Sequence, residues 1–446
     1  MRRIARFALA ISAVIAIAAC AGTGTPGGPE ASSILPQARP AGLSGNYIDH
    51  VVIMIQENRS FDNLFSTFPG ADGTTSGMTH TGQAVALHMG NLFSATDGQN
   101  GHSAFVKDYD GGNMDGFDTV PVGGQPAGST YVYQYVDPAQ IRPYWKLAKE
   151  YALADHMFQT EGSGSFIGHQ DLIRGNTALD SSQSLIDEPN GEPWGCDAPA
   201  GTITPVITSN GKSVTGPFPC FNYDTLRDLL DAAHISWRYY LPGESVDVGG
   251  LWNAFDAIHA VRYGPEWSTN MSTPEKNIFT DISHHRLQSV SWVIPDFANS
   301  DHPAAGSDTG PSWVTQVVNA IGQSPYWKTT AILVVWDDWG GWYDHVAPPQ
   351  LDYAGLGFRV PMLVISPYVD RGTISHKQYE FGSIIRFVEN NWKLGRLQLS
   401  TDKRAQSIGD LFDFKRKPRK FRPIAAKYSR SFFEHQPPSN KPVDTN

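Results

Sequence analysis

An apolar run at residues 50–55 stops abruptly at Gln56, Glu57, Asn58 and Arg59. Consecutive β-branched and apolar residues predict a buried strand. In open α/β sheets, ligands bind outside the carboxyl ends of the strands. A carboxylate and an amide oxygen delivered there, from Glu57 and Asn58, suit a hard cation. A solvated loop after a strand would use the same residues, so this segment alone leaves both readings open.

Strand-like runs recur at 235–240, 290–294, 331–336 and 362–366, each followed by polar or turn residues. Helical spacing appears between them, at 225–233, 313–321 and 382–394. Alternation of this kind predicts an α/β fold, a three-layer sandwich with a mainly parallel central sheet. Segments 66–130 and 176–222 are rich in Gly, Ser and Thr and lack periodicity. They read as insertions over the sheet edge, where sites are often built. The chain of 446 residues is long enough for one large domain or two.

The first twenty residues read as a targeting segment. Arg2, Arg3 and Arg6 precede an apolar stretch at 7–19, which is too short for a standard transmembrane helix. Ile17-Ala18-Ala19-Cys20 resembles a bacterial lipobox, which would place a lipid on Cys20; an ordinary or twin-arginine signal is the alternative. Residues 21–45 suit a flexible tether. The expected body is 46–414, followed by a basic tail at 415–446. The tail's run 415–422 suits a solvated segment or a contact with anionic lipid or substrate. Export to the periplasm, the cell envelope or the medium follows. It makes a disulfide between Cys196 and Cys220 the expected state. A net charge of -10 argues against a nucleic-acid partner.

Further clusters could carry chemistry. Asp337 and Asp338 follow an apolar run and precede Gly340 and Gly341. Adjacent carboxylates repel unless a cation or donor lies between them; a helix cap and turn would explain one acid only. Ser165 lies among glycines before a helix predicted at 170–174, where amides can bind an anion; an N-cap serine is the plain alternative. His302, beside Asp301, follows another strand and could bind phosphate or donate a proton. His102 precedes the glycine-rich stretch at 111–117. Lone loop histidines are often only solvated. The 12 tryptophans suit core packing, with aromatic binding of a cation their rarer use.

Together these clusters resemble a bacterial phosphoesterase family containing phosphocholine-type phospholipases C and certain acid phosphatases, with an alkaline-phosphatase-like fold. The matching motifs are Glu-Asn-Arg-Ser-Phe-Asp at 57–62, Asn-Met-Asp-Gly-Phe at 113–117, Ser-Phe-Ile-Gly-His-Gln at 165–170 and Asp-Asp-Trp-Gly-Gly-Trp-Tyr-Asp-His at 337–345. The resemblance implies a phosphate-ester or phospholipid substrate and one divalent metal ion. It implies metal and phosphate ligation by Glu57 and Asn58, a Ser165 nucleophile, and further metal ligation by Asp337 and Asp338. His302 and His102 would bind phosphate or transfer protons, with His345 as a further catalytic group. The phospholipases usually carry threonine where this chain has Ser165, as the phosphatases do. Asp338 stands where the phosphatases can have Glu. A sulfatase would need a Cys/Ser-x-Pro-x-Arg motif, and neither body cysteine lies in one. A non-catalytic surface binding protein on the same scaffold is the alternative function.

Overall fold

Branched apolar side chains fill the long central strands, and their burial assembles the sheet. The computed structural model describes residues 47–94, 96–243 and 250–439. The expected signal, lipobox and tether all lie outside them. The sheet strands, in chain order, are β1 (His50–Gln56), β2 (Ala152–Ala154), β3 (Trp237–Tyr240), β4 (Met271–Ser272), β5 (Val290–Val293), β6 (Thr330–Trp336), β7 (Met362–Ile365) and β8 (Thr373–Ser375). Their spatial order is β4-β3-β5-β1-β6-β7-β2-β8. β1 lies between β5 and β6, parallel to both, in a register that sets Gln56 opposite Trp336.

The sheet is parallel except at β7, which runs antiparallel to both of its neighbours. The connection from β6 to β7 contains no helix among the described residues. Without a crossover it starts and ends at one edge of the sheet, so the strand that follows must reverse.

Six helices matter below: α1 (His102–Tyr109), α2 (Arg142–Glu150), α3 (Ser165–Arg174), α4 (Leu226–Ala232), α5 (Gly310–Gly322) and α6 (Phe381–Trp392). α3 packs against α4 and α6, and α2 packs against α5. Strand register shows that the two groups cover opposite faces. Trp292 on β5 lies opposite Ile53 and donates its indole N–H to Leu172 of α3 at 3.1 Å. Gln56 is an odd number of residues from Ile53, so it points the other way. There it meets Tyr144 of α2 and Gly310 of α5. The expected α/β three-layer sandwich is the observed one.

The two insertions carry small sheets of their own. Segment 66–130 closes over the carboxyl edge through a second core that joins Phe105, Phe117 and Tyr133 to Trp339, Trp342 and Phe358. Six tryptophans are fully buried, in this core and the main one. Segment 176–222 holds a three-stranded sheet and the Cys196–Cys220 disulfide. The basic run at 415–422 is not a free tail. Arg419 N–H donates to the Pro367 carbonyl at 3.0 Å, and Trp327 donates to the Arg419 carbonyl at 2.7 Å.

Candidate active site

The carboxyl ends of β1 and β6 set the frame. The ladder continues one step past the strands, where Asp337 N–H donates to the Gln56 carbonyl at 3.0 Å. Asn58 N–H then donates to Asp337 Oδ1 at 3.0 Å. Asn58 takes the left-handed conformation (φ 58°), which asparagine tolerates better than most residues. Two glycines permit the close approach of the loops. A Cβ on Gly340 (φ 61°) would lie 2.3 Å from the Asn58 carbonyl oxygen. A Cβ on Gly168 of α3 would lie 2.5 Å from that of Asp337.

Ser165 is the first residue of α3, and Gly164 occupies the cap position without a side-chain cap bond. Ser165 therefore does not cap its own helix. Its hydroxyl donates to Asp338 Oδ2 at 2.9 Å and lies 3.4 Å from Asn58 Oδ1. The first amides of α3 favour an anion by dipole and unsatisfied N–H groups. All ten residues of α3 are buried, so little water screens that field.

Glu57, Asp337 and His169 bring one ligand atom each to within 4.8 Å of one another. His169 Nε2 lies 3.0 Å from Glu57 Oε1 and 3.8 Å from Asp337 Oδ2, and all three side chains are fully buried. Asp337 Oδ2 accepts no hydrogen bond. Two acids buried this closely repel unless a positive group stands between them. Carboxylate oxygens with an imidazole nitrogen suit a divalent metal, so the residues fit one.

The two adjacent acids take different neighbours. Asp337 faces the Glu57–His169 group. Asp338 lies outside that group and accepts from Asn100 Nδ2 at 3.1 and 3.0 Å, Gly340 N–H at 2.6 Å and Ser165. Successive side chains at the end of an extended strand point to opposite sides.

His102, on α1, meets the loop that leads into Ser165. Its Nδ1 lies 2.8 Å from the Gly162 carbonyl oxygen, which can only accept, so Nδ1 carries a proton and Nε2 is left for a ligand. His302 likewise gives Nδ1–H to the Pro303 carbonyl, with Nε2 3.9 Å from Asp97 Oδ2. Its loop is tied to the frame, since Glu57 N–H donates to the Ser300 carbonyl at 2.8 Å. Trp252 bridges the two halves, with ring centroids 6.3 Å from His169 and 6.0 Å from His302. Neighbouring Asp301 is pushed up to about 7 by burial, and burial lowers Arg59 to about 10.

His345 belongs to another cluster. Its Nδ1 lies 2.7 Å from Asp62 Oδ2, and Arg359 pairs with Asp344 at 2.9 Å and Asp62 at 3.5 Å. Burial pulls the His345 pKa down, but the Asp62 hydrogen bond and charge leave it raised. The buried guanidinium already supplies the cation these acids need, so this trio is a poor metal site.

His169 and Asn100 were not assigned roles from sequence. His169 had a signal: it is four residues after Ser165, and on a helix that spacing places both on one face. Asn100 had none, being a neutral amide in a segment without periodicity.

The phosphoesterase family model matches residues 48–395. A non-hemolytic phospholipase C of Pseudomonas aeruginosa is 27% identical, covering 87% of this chain and 61% of that protein. This chain thus spans about three-fifths of that relative's length. A phospholipase C B of Mycobacterium tuberculosis is 27% identical, covering 84% of this chain and 80% of that one. Among solved structures, a protein in the alkaline phosphatase superfamily from Vibrio parahaemolyticus covers 79% of this chain and 71% of that one. It is 11% identical with a TM-score of 0.36, too distant a likeness to argue from. The family match spans the sheet, the site loops and both insertions: the chain belongs to the phosphoesterase family.

Proposed function

We propose that this chain is an exported, metal-dependent hydrolase of phosphate mono- or diesters, with Ser165 as nucleophile. The observation that carries the reading is the position of the Ser165 hydroxyl. It stands at the buried start of α3, bonded to Asp338, beside a ligand group built from Glu57, Asp337 and His169. The disulfide and the basic-then-apolar start of the sequence support export. Relatives named phospholipase C support a phospholipid substrate; a simple phosphate monoester is the second choice, favoured by serine at the nucleophile position.

Glu57, Asp337 and His169 would hold one divalent ion, with Asn58 and Asp338 on the Ser165 side. When bound, the ion would supply Lewis acidity that acidifies the serine hydroxyl and neutralises phosphate charge. Ser165 Oγ gives its proton to Asp338 Oδ2 and attacks phosphorus, forming the Oγ–P bond as the ester P–O bond breaks. The α3 amides take the phosphate oxygens. His102 or His302, each fixed through Nδ1–H, would act as the imidazolium and give the Nε2 proton to the leaving alkoxide. Water then attacks phosphorus and gives its proton to that histidine as the Oγ–P bond breaks; Asp338 returns its proton to Ser165 Oγ, and phosphate leaves from a monoester or a phosphate monoester from a diester.

The test uses purified protein on p-nitrophenyl phosphate and p-nitrophenyl phosphorylcholine. Ser165→Ala should lower kcat by about a thousandfold or more, equivalent to ~4 kcal/mol, with Tm unchanged. A loss of tenfold or less would remove Ser165 from the mechanism. Chelation should abolish activity and lower Tm together, because a metal bound only by the folded chain stabilises it; Asp337→Asn should mimic both in part. Full activity after exhaustive chelation, with no metal by elemental analysis, would defeat the metal assignment.

A further inference from the structure

The site occupies the carboxyl edge of the sheet, and the opposite edge has its own chemistry. Tyr47, the first described residue, lies there, at the amino end of β1. Its ring stacks on Phe414 at 4.9 Å and meets Tyr368 edge-on at 5.8 Å. Phe414 leads directly into the basic run at 415–422. Three contacts hold that run against this edge. Arg419 N–H bonds to Pro367, after antiparallel β7; Arg419 also donates to the Glu150 carbonyl at 2.7 Å, before β2; and Trp327, before β6, donates to Arg419. Phe421 packs edge-on against Trp327 at 4.9 Å.

The backbone is pinned, but the charges are free. Lys328, Lys415, Lys417, Lys420 and Arg422 are exposed and make no ion pair among the described residues. Arg416 and Arg371 already pair with Asp370 and Glu150. Of the nearby acids, that leaves Asp413, which binds the Lys415 N–H at 3.0 Å, and Asp49, whose N–H donates to the Thr329 carbonyl at 2.7 Å, against five exposed cations. A surplus of positive charge on one edge of a chain with net charge -10 marks that edge out. It is also where the preceding segment joins the body, and that segment's sequence reads as membrane-directed.

We propose that this amino edge docks on an anionic phospholipid surface, with the catalytic edge held away from it. Lysines and arginines near such a surface are attracted by its negative potential, and each contributes about fivefold in binding. The attraction falls within a Debye length, so it weakens with salt. Docked this way, the enzyme acts on substrate arriving from the aqueous side or from a second surface, and not on the lipid beneath it.

The experiment floats the purified full chain with vesicles of phosphatidylcholine alone and of phosphatidylcholine mixed with phosphatidylglycerol. Binding should favour the anionic vesicles by at least about tenfold and fall with added salt. The variant Lys415→Glu/Lys417→Glu/Lys420→Glu should lose it by about a hundredfold while keeping wild-type Tm. If the Glu variant misfolds, the matching Gln variant serves the same comparison. Equal binding by variant and wild type, or to both vesicles, would overturn the proposal. Orientation has a separate arm. Saturating anionic vesicles should leave hydrolysis of soluble p-nitrophenyl phosphate unchanged; blocked hydrolysis would make the catalytic edge the docked one and overturn the orientation. The flotation result does not depend on the proposed catalysis, so the two readings fail separately.

Discussion

Glu161 lies four residues before Ser165, buried, with Thr177 and Ser184 hydroxyls each donating to its carboxyl at 2.6 Å. Burial pushes its pKa from 4.5 up to about 7 despite those bonds. Between those values the folded chain keeps a proton that the unfolded chain has lost. Stability therefore falls as pH rises through that window, by on the order of 3 kcal/mol in all. Glu161→Gln should flatten this part of the profile and gain stability relative to wild type above pH 7. Denaturant unfolding across the window checks it; an unchanged slope would clear Glu161 of the effect. At this scale the sequence is readable where chemistry and position coincide. Glu57, Asn58, Asp337, Asp338 and Ser165 all stand at strand ends or a glycine-flanked helix start, where a charged or nucleophilic group needs a reason. His169 escapes because the helix expected at 170–174 begins after it, and a histidine in a glycine-rich loop is ordinarily only solvated. Asn100 escapes because its partner Asp338 is 238 positions away.

The contact between α3 and the end of β6 is one of the close joints of the site. Ala at position 168 gains helix propensity, up to about 1 kcal/mol. Its Cβ would also lie 2.5 Å from the Asp337 backbone oxygen, in a segment tied to Gln56 and Asn58. A backbone held on both sides cannot yield as a flexible side chain can, so the strain should win. Gly168→Ala should lower kcat by about a hundredfold, the cost of a misplacement near 1 Å, and lower Tm modestly. Wild-type turnover would show that the helix can shift without harm. The long strands β1 and β6 and helices α5 and α6 are legible because their apolar periodicity is unbroken. The first half of α3 is not, since Gly168 and its Gly-Ser start weaken the helical pattern; only 170–174 is readable as helix. β2, only three residues long, gives too short a run to read, and the reversal of β7 depends on a connection whose path no local pattern encodes.

For the whole molecule, the disulfide closes a loop of sequence separation 24 in an excursion with little regular structure. Restricting the unfolded chain in this way contributes about 3 kcal/mol. Replacing both cysteines by serine should lower the denaturant midpoint accordingly and leave kcat within a few-fold of wild type, because the bridge is far in sequence from the nucleophile and its acids. A midpoint that does not move would mean the excursion is held by its small sheet alone. The frame beneath is of another kind. Gln56 and Trp336 are cross-strand partners, so Glu57 and Asp337 are the next rungs of one ladder. Their spacing is thereby ruled by the pitch between neighbouring strands, about 4.8 Å. That gauge is made of peptide groups and is indifferent to which side chains surround it. The loops above can be lengthened, exchanged or redecorated for a new leaving group, and the gap between the two acids will not change with them.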